Sequence, residues 1–198
     1  MSTNGYTREF ILDRASELAS QVGLTGLPIG SLARHLARPK STVFFHFGSK
    51  EALQLGVLES AARELIREVI RPAFLALDGL SRLERLFTGW LAWDGKGGYP
   101  GGCLFVATAS EFDDRPGPVR DQLVRLCMGW QHLLGSLVKA AVTIGALRPD
   151  TDRDQVLQDL QGIMLAYHHR CRLLRDPDAE RRARLAFHGL VERLRAGA

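Results

Sequence analysis

Between residues 40 and 50, the sequence KSTVFFHFGSK brings cationic, hydroxyl-bearing and aromatic side chains together in one short segment. A lysine suits a phosphate or a guanine, and a serine or threonine suits a phosphate or the methyl group of a thymine. An aromatic ring can lie against a methyl group or a sugar. These residue types therefore predict a surface that contacts nucleic acid, with the candidate side chains Lys40, Ser41, Thr42, Phe45 and His46.

The charge of the N-terminal quarter of the chain agrees with such a surface. The formal net charge of the 198 residues is only +4, yet residues 18–50 contain four lysine or arginine side chains and no aspartate or glutamate. A local basic surface favours a polyanionic partner. A solvated basic face that binds nothing is the alternative, and charge by itself does not separate the two.

Helical periodicity places these side chains on the third of three short helices. Apolar residues recur at helical spacing over 8–22, where Gly23 ends the stripe, and the pattern repeats over 29–36 and 40–46. Pro39 suits the first turn of the third helix. About three residues join the second and third helices, which is the geometry of a helix-turn-helix, whose second helix lies in the major groove of DNA. The predicted core contacts of this pair are Leu32, Leu36 and Val43.

The rest of the chain is also predicted to be helical, so the expected fold class is all-α. Ser49 is a suitable N-cap for a long helix over 52–70 that stops before Pro72. The glycine-rich segment 94–102 is predicted to be a flexible break. Thr151 or Asp152 is expected to cap a later helix. Further helices are expected over 80–93, 103–112, 119–146, 155–175 and 179–196.

The segment LPIGSLARHLARPKSTVFFHFGSKEAL, residues 27–53, resembles the DNA-binding region of the tetracycline-repressor (TetR/AcrR) family. The family pattern is an apolar–Ala pair, a short turn, a recognition helix and an aromatic-x-x-Phe-x-Ser-Lys-Glu-x-Leu ending. The resemblance implies about nine helices, with a three-helix helix-turn-helix head over 1–50 and a larger ligand-binding and dimerisation body over 51–198. The matching positions are Leu32, Ala33, Ala37–Pro39, Phe44, Phe47, Ser49, Lys50, Glu51 and Leu53.

The resemblance also implies roles for the residues that follow the recognition helix. Phe47 is expected to pack in the small core that fixes this helix against the first and fourth helices. Ser49 is expected to cap the fourth helix, whose positive N-terminal end then faces a DNA phosphate, and Lys50 adds a charge there.

Three positions depart from the family pattern. Phe44 stands where the family usually has a tyrosine whose hydroxyl reaches a phosphate, so about 1 kcal/mol of binding is expected to be lost. Ala37 stands where the turn usually has glycine, which predicts a different turn conformation. Arg38 replaces an apolar residue and is expected to add a contact to the DNA backbone.

For the body, the resemblance implies a dimer face on the last two helices, which would pair with those of a second subunit as a four-helix bundle. Part of each apolar stripe is expected to be intramolecular core. The candidate dimer residues are Leu160, Ile163, Met164, Tyr167, Phe187, Leu190, Val191 and Leu194.

The resemblance further implies a pocket in the middle helices for a small hydrophobic or aromatic effector. Large planar and apolar side chains suit such a pocket, although ordinary core packing would explain each of them as well. The candidate pocket residues are Phe87, Trp90, Trp93, Phe105, Phe112, Met128 and Trp130.

No catalytic motif, phosphate-binding loop or zinc signature occurs in the sequence, so we expect no enzyme, metal or cofactor. His168 and His169 are adjacent and would point about 100° apart on a helix, which prevents them from chelating one ion together. Glu111, Asp113 and Asp114 form either a cation site or a solvated acidic corner, and the second interpretation is favoured.

Cysteine use and hydropathy predict a cytoplasmic protein. Cys103, Cys127 and Cys171 are odd in number and widely spaced, so we expect buried free thiols. No apolar run reaches the roughly 18 residues that cross a bilayer. The first residues contain no apolar stretch typical of a signal peptide.

The sequence therefore predicts a homodimeric DNA-binding transcriptional regulator that binds a palindromic operator in double-stranded DNA. By the family's usual mode, it is expected to be a repressor that an effector releases. The alternative is an all-α ligand-binding or scaffold protein that does not bind DNA. Salt dependence separates the two, because binding driven by phosphate contacts weakens steeply with salt.

Overall fold

The computed structural model describes residues 7–27 and 29–196, and helices make up most of this part of the chain. It contains nine α-helices of seven or more residues, which confirms the predicted all-α fold with about nine helices. Among the described residues, no helix is both long and apolar enough to cross a membrane. The helices are α1 Arg8–Val22, α2 Ile29–His35, α3 Lys40–Phe47, α4 Lys50–Leu65, α5 Gly79–Ala92, α6 Leu104–Phe112, α7 Pro118–Thr143, α8 Arg153–Arg172 and α9 Ala179–Leu194.

Several helices begin at side chains that accept hydrogen bonds from the first helical turn. Ser49 caps α4 as predicted, since its hydroxyl accepts from the Ala52 N–H at 3.0 Å. Of the two candidates before α8, Asp152 is the cap, and its carboxylate accepts from the Asp154 and Gln155 N–H groups. Backbone hydrogen bonds to the Asp78 carboxylate, which caps α5, lower the pKa of that group.

The helix predicted over 52–70 is present but is not α-helical to its end. It changes at Leu65 into a π-helical turn, Ile66–Ile70, and closes with a single α-helical turn, Arg71–Ala73. Pro72 lies in that last turn and has no N–H to donate to the preceding turn. The helix therefore ends close to Pro72, the residue before which it was expected to stop.

The predicted break over 94–102 begins later than expected. Helix α5 continues directly as a π-helical turn over Trp93–Gly97, so the prediction is wrong for the first residues of the segment. The chain leaves this turn at Gly98, whose N–H donates to the Trp93 carbonyl at 2.8 Å.

Packing divides the chain into two units. The first unit extends to Leu65 and resumes over Tyr99–Leu126, so it contains α1 to α4, α6 and the start of α7. Within it, α1 packs against α4 and α6. The predicted core residues of the helix-turn-helix are all buried there, namely Leu32, Leu36 and Val43.

The second unit comprises Ile66–Gly98 and the chain from Cys127 onwards, which includes α5, the rest of α7, α8 and α9. Its most extensive helix–helix contact is between α8 and α9. These two packing units differ from the expected division into a DNA-binding head over 1–50 and a body over 51–198. That division is one of function, so it stays a prediction.

The three cysteines are free thiols, but only one of them is deeply buried. Cys103, just before α6, is buried as expected, whereas Cys171 is partly exposed. Cys127 lies on an outward-facing part of α7 and is exposed, so the prediction of a buried thiol is wrong there.

Candidate nucleic-acid interface

Helix α3 has one exposed face and one buried face. The exposed residues are Lys40, Ser41, Phe44 and Phe45. Because residues four positions apart lie on the same side of a helix, Lys40 is beside Phe44 and Ser41 is beside Phe45. Phe45 is 86% exposed and its ring meets the ring of His46 edge-on at 5.4 Å. Exposure of an aromatic ring to this extent is unfavourable in water, so the surface is one that a partner would cover.

The buried face of α3 fixes the direction of the exposed one. Val43 and Phe47 point inward, four residues apart. The Phe47 ring lies near Gly56 of α4, and the guanidinium of Arg8 on α1 sits 5.2 Å from its centroid. The expected packing of Phe47 between α1 and α4 is therefore confirmed.

The turn between α2 and α3 is short and held by its backbone. The Ala37 N–H donates to the Arg34 carbonyl at 3.0 Å, and the Arg38 N–H donates to the Ala33 carbonyl at 2.9 Å. Ala37 has a φ of 50°, in the left-handed region that favours glycine. The sequence predicted a different turn here, but the alanine adopts a conformation suited to the glycine it replaces, at a cost of about 1 kcal/mol.

Beside this turn lies a groove of about 390 Å³ whose charged lining is entirely basic. Arg38 and Lys40 line it and are exposed, as Arg34 also is. Pro39 precedes α3 as its N-cap residue, one position earlier than expected, and its carbonyl accepts from the Thr42 N–H at 3.0 Å. A groove with these properties suits a phosphate group.

Thr42 and His46 are partly exposed at the edge of the exposed face of α3. Lys50, at the start of α4, is exposed, and its ammonium donates to the Thr25 carbonyl at 2.7 Å. An ammonium has three donors, so this bond leaves others that can reach a phosphate.

The turn between α1 and α2 contains contacts that the sequence reasoning missed. Glu111 of α6 accepts hydrogen bonds from the Leu24 and Thr25 N–H groups, so it is neither the cation ligand nor the solvated carboxylate that was considered. Gln54 of α4 is buried and donates to the Leu24 carbonyl at 2.9 Å. The only sequence signal for this turn was its pair of glycines, Gly23 and Gly26.

The candidate effector residues are divided between the two units. In the first unit, Phe112 is buried and Phe105 is partly exposed. Met128, in the second unit, is half-exposed on an outward-facing part of α7. The other candidates of the second unit are partly exposed, as is Trp130, or buried, as are Phe87, Trp90 and Trp93.

Two of the buried aromatics pack against residues predicted for the dimer face. Phe87 stacks on Phe187 with ring centroids 4.1 Å apart, and Trp90 meets Tyr167 edge-on at 5.9 Å. Core packing within the second unit accounts for both contacts.

A polar pair lies inside the second unit next to these aromatics. Asp94 is fully buried on the π-helical turn, and its carboxylate lies 2.8 Å from Nδ1 of His168. The Tyr167 hydroxyl donates to the Leu91 carbonyl at 3.1 Å. Burial, and after it the neighbouring Cys171, raises the pKa of Tyr167. The sequence reasoning missed this pair because Asp94 lay in the segment predicted as a break.

Most of the candidate dimer residues are buried within the chain itself. Ile163 and Leu194 keep partial exposure. The remaining candidates on α8 and α9 are buried, namely Leu160, Met164, Tyr167, Phe187, Leu190 and Val191.

A groove of about 650 Å³ runs along the outer side of α8 and α9. Small residues line its floor, including the exposed Gly162, Ala166 and Ala186. Small side chains of this kind allow another helix to approach closely. Its charged lining residues are Asp159, Arg170, Arg182 and Arg193.

Two family comparisons cover most of this architecture. Residues 11–57 match the family described as bacterial regulatory proteins of the tetR family. Residues 79–187 match the family described as the tetracyclin repressor-like C-terminal domain. The chain belongs to the tetR family.

As a tetR-family protein, the chain is a DNA-binding transcriptional regulator that responds to a ligand. Regulators of this family bind operator DNA and small-molecule effectors and form dimers. They are generally non-enzymatic. The expected family and the expected class of function are thereby confirmed, and the non-DNA-binding alternative is not favoured.

Solved structures with the same fold agree with this membership. A tetR transcriptional regulator from Chloroflexus aurantiacus is 22% identical, with a TM-score of 0.84 and 96% of each chain covered. A tetR-family regulator from Cytophaga hutchinsonii is 18% identical, with a TM-score of 0.79, 100% of this chain and 99% of that chain covered.

AibR, solved with isovaleryl coenzyme A and operator DNA, is 18% identical, with a TM-score of 0.71, 95% of this chain and 97% of that chain covered. At these identities the likeness shows the fold alone. No curated protein sequence matches the chain.

Proposed function

We propose that this tetR-family regulator is a repressor that places α3 of each of two subunits in successive major grooves of a palindromic operator. The observation that carries the proposal is the exposed face of α3, where Phe45 is 86% exposed beside a basic groove. The buried contacts of Val43 and Phe47 hold that face outward.

The residues around α3 divide into those that position the head and those that read bases. Arg38 and Lys40 line the basic groove and are assigned to DNA phosphates. Lys50 is assigned to a phosphate at the start of α4, where the helix dipole adds positive potential.

The base-reading set lies along α3 itself. Ser41, Thr42 and His46 supply hydrogen-bonding groups near the exposed face. Phe44 and Phe45 supply apolar surface for a thymine methyl group or a sugar. Thymine-containing steps in each half-site are therefore expected.

The second copy of the chain is proposed to cover the groove along α8 and α9. Because most of the predicted stripe residues are already buried, the contact would be made by exposed small residues together with Ile163, which also lines the groove. Two-fold symmetry then places the two copies of α3 for half-sites that recur about every 34–36 Å along the DNA.

The effector is proposed to be a small hydrophobic or aromatic molecule, recognised by aromatic residues of the second unit among Phe87, Trp90, Trp93 and Trp130. The Asp94–His168 pair offers polar groups in the second unit for orienting such a ligand. AibR, with its bound acyl-coenzyme A and operator DNA, provides an example of a protein with this fold that holds both. We further infer that the protein acts on DNA in the cytoplasm and has no enzymatic role.

The operator proposal is tested by fluorescence anisotropy on DNA upstream of the protein's own gene, or on a duplex found by selection, at several salt concentrations. Specific binding is expected to weaken steeply with salt, at a log–log slope of about −0.9 per neutralised phosphate. Phe45→Ala is expected to lower affinity for the operator about ten-fold and to change affinity for a random duplex little. Salt-independent binding, or no preference for any duplex, would contradict the proposal.

The dimer proposal is tested with Ala186→Glu, which puts a carboxylate on the groove floor. Light scattering is expected to show dimers for the unaltered chain and monomers for the variant, because the longer side chain keeps a second helix from approaching the small residues of the groove closely. Leu185→Glu is the matched control, since Leu185 is exposed on the same helix and does not line the groove. A dimer that survives Ala186→Glu would place the interface elsewhere.

A further inference from the structure

We propose that Glu111 is a positioning residue for operator recognition, because its carboxylate fastens the turn before the helix-turn-helix to α6. This inference rests on the proposed function, since it concerns how the DNA-reading head is held. Glu111 itself lies near the C-terminal end of α6, and it is assigned no contact with DNA.

Both oxygens of the Glu111 carboxylate are used on consecutive backbone groups. Oε1 accepts from the Leu24 N–H at 3.1 Å, and Oε2 accepts from the Thr25 N–H at 2.7 Å. Hydrogen bonds to an ionised acceptor are about twice as strong as neutral ones. The two bonds join residues 87 and 86 positions apart, so they tie the turn to α6 over a long sequence distance.

The backbone of the turn leaves room for this carboxylate. Gly23 has a φ of 79°, and a Cβ at this position would overlap Glu111 Oε1. A glycine is therefore needed both for the backbone conformation and for the close approach of the side chain.

The carbonyls of the same two residues are held from the other direction by α4. Gln54 donates to the Leu24 carbonyl at 2.9 Å, and Lys50 donates to the Thr25 carbonyl at 2.7 Å. The Thr25 hydroxyl accepts from Arg115 at 3.2 Å. Each polar backbone group of Leu24 and Thr25 thus has a side-chain partner, which fixes the turn in position and orientation.

The position of this turn matters for DNA binding because α2 begins only a few residues after it. Helix α2 has seven residues, fewer than an isolated helix needs for stability, so its direction depends on the segments at its ends. Since α3 packs against α2, a shift of the turn is expected to move the face of α3 that reads bases.

Charge and positioning predict opposite effects when Glu111 is neutralised. Removing a negative charge from a DNA-binding protein raises its affinity for any duplex through long-range attraction. Loss of a positioning contact instead lowers affinity for the operator and leaves affinity for random DNA unchanged or higher. The ratio of the two affinities therefore separates these effects.

The experiment compares full-length wild-type protein with Glu111→Gln, using anisotropy on an operator duplex and on a random duplex of equal length. Glu111→Gln keeps the shape but replaces one acceptor oxygen with an amide that faces a backbone N–H. The operator-to-random ratio is expected to fall about ten-fold, and hydrogen exchange in the 23–27 segment is expected to become faster. Asp114→Asn is the charge-matched control, because Asp114 is an exposed carboxylate near the same end of α6. It is expected to leave the operator-to-random ratio and the hydrogen exchange of the 23–27 segment unchanged.

A second variant, Glu111→Asp, keeps the charge and shortens the reach, so it is expected to lower the ratio in the same way if Glu111→Gln fails to fold. An unchanged ratio in folded Glu111 variants, or an equal fall in Asp114→Asn, would overturn the inference. If the wild-type protein itself prefers no duplex, the proposed function fails, and hydrogen exchange still decides the structural part: unchanged exchange in the 23–27 segment would overturn it.

Discussion

The turn between α1 and α2 is held by side chains from α4, from α6 and from the segment after α6, whereas the turn between α2 and α3 is held by its own backbone. The first has two amides and two carbonyls bound by Glu111, Gln54 and Lys50. The second has two short-range backbone bonds and an alanine at a φ of 50°. The same small head thus combines a turn set by long-range contacts with a turn set by local geometry.

This difference shows which residues control the stability and position of each turn. A locally determined turn changes in stability when a residue within it changes, and the rest of the molecule is little affected. A turn held from several elements transmits changes from those elements to α2, because its position is not determined by its own residues.

Gly23→Ala is expected to have the largest effect on this comparison. The new Cβ would displace Glu111, and the turn would hold the alanine at a positive φ that this residue avoids. The free energy of unfolding should therefore fall by about 2 kcal/mol. Urea unfolding followed by circular dichroism measures the change. Gly129→Ala on α7, where a Cβ meets nothing, is the control and should leave stability unchanged or raise it. Equal behaviour of the two variants would show that Glu111 adapts without loss.

Lys50→Ala is expected to have an intermediate effect. It shows whether Lys50, which holds the Thr25 carbonyl in the turn between α1 and α2, also contacts DNA. Operator affinity should fall by about 1 kcal/mol, and the magnitude of the log–log salt slope should fall by about 0.9 per protomer, because one phosphate contact is lost. Anisotropy titrations over a salt series measure both quantities. Lys139→Ala, an exposed lysine on α7, is the control with the same charge change. A weaker affinity with an unchanged slope would restrict Lys50 to holding the Thr25 carbonyl.

Ala37→Gly is expected to have the smallest effect and the opposite sign. Relief of the left-handed strain, offset by the greater freedom of glycine in the unfolded chain, should raise the free energy of unfolding by about 0.5 kcal/mol. The same urea experiment measures it. Ala109→Gly, on an exposed helical position of α6, should instead lower stability by about 1 kcal/mol. A loss of stability in Ala37→Gly would mean that the second turn is not strained.

Much of the fold could be predicted from the sequence because helices have local sequence signals, namely periodic apolar residues, N-caps and prolines. Apolar spacing, Ser49 and Pro72 located the long fourth helix to within a few residues. The π-helical turns at Ile66–Ile70 and Trp93–Gly97 have no such signal, since a widened turn depends on how neighbouring helices pack.

The sequence also identified the residues of α3 and their separation into inward and outward sets. Val43 and Phe47 are buried, and Phe45 is exposed, because a helix of known start has only one way to turn its apolar side toward the core. It could not separate the core and interface uses of the α8 and α9 stripes, since both uses require the same apolar side chains at the same spacing.

By itself, then, the amino-acid sequence determined the helical periodicity, the helix-turn-helix and the family, because these depend on residues close together in the chain. The tertiary structure decided which distant groups meet. Glu111 reaches the amides of Leu24 and Thr25, and Asp94 reaches His168, across separations at which no spacing rule applies. A polar contact of this kind is fixed only when packing brings distant segments of the chain together, so it can be seen in the folded chain and not in the order of its residues.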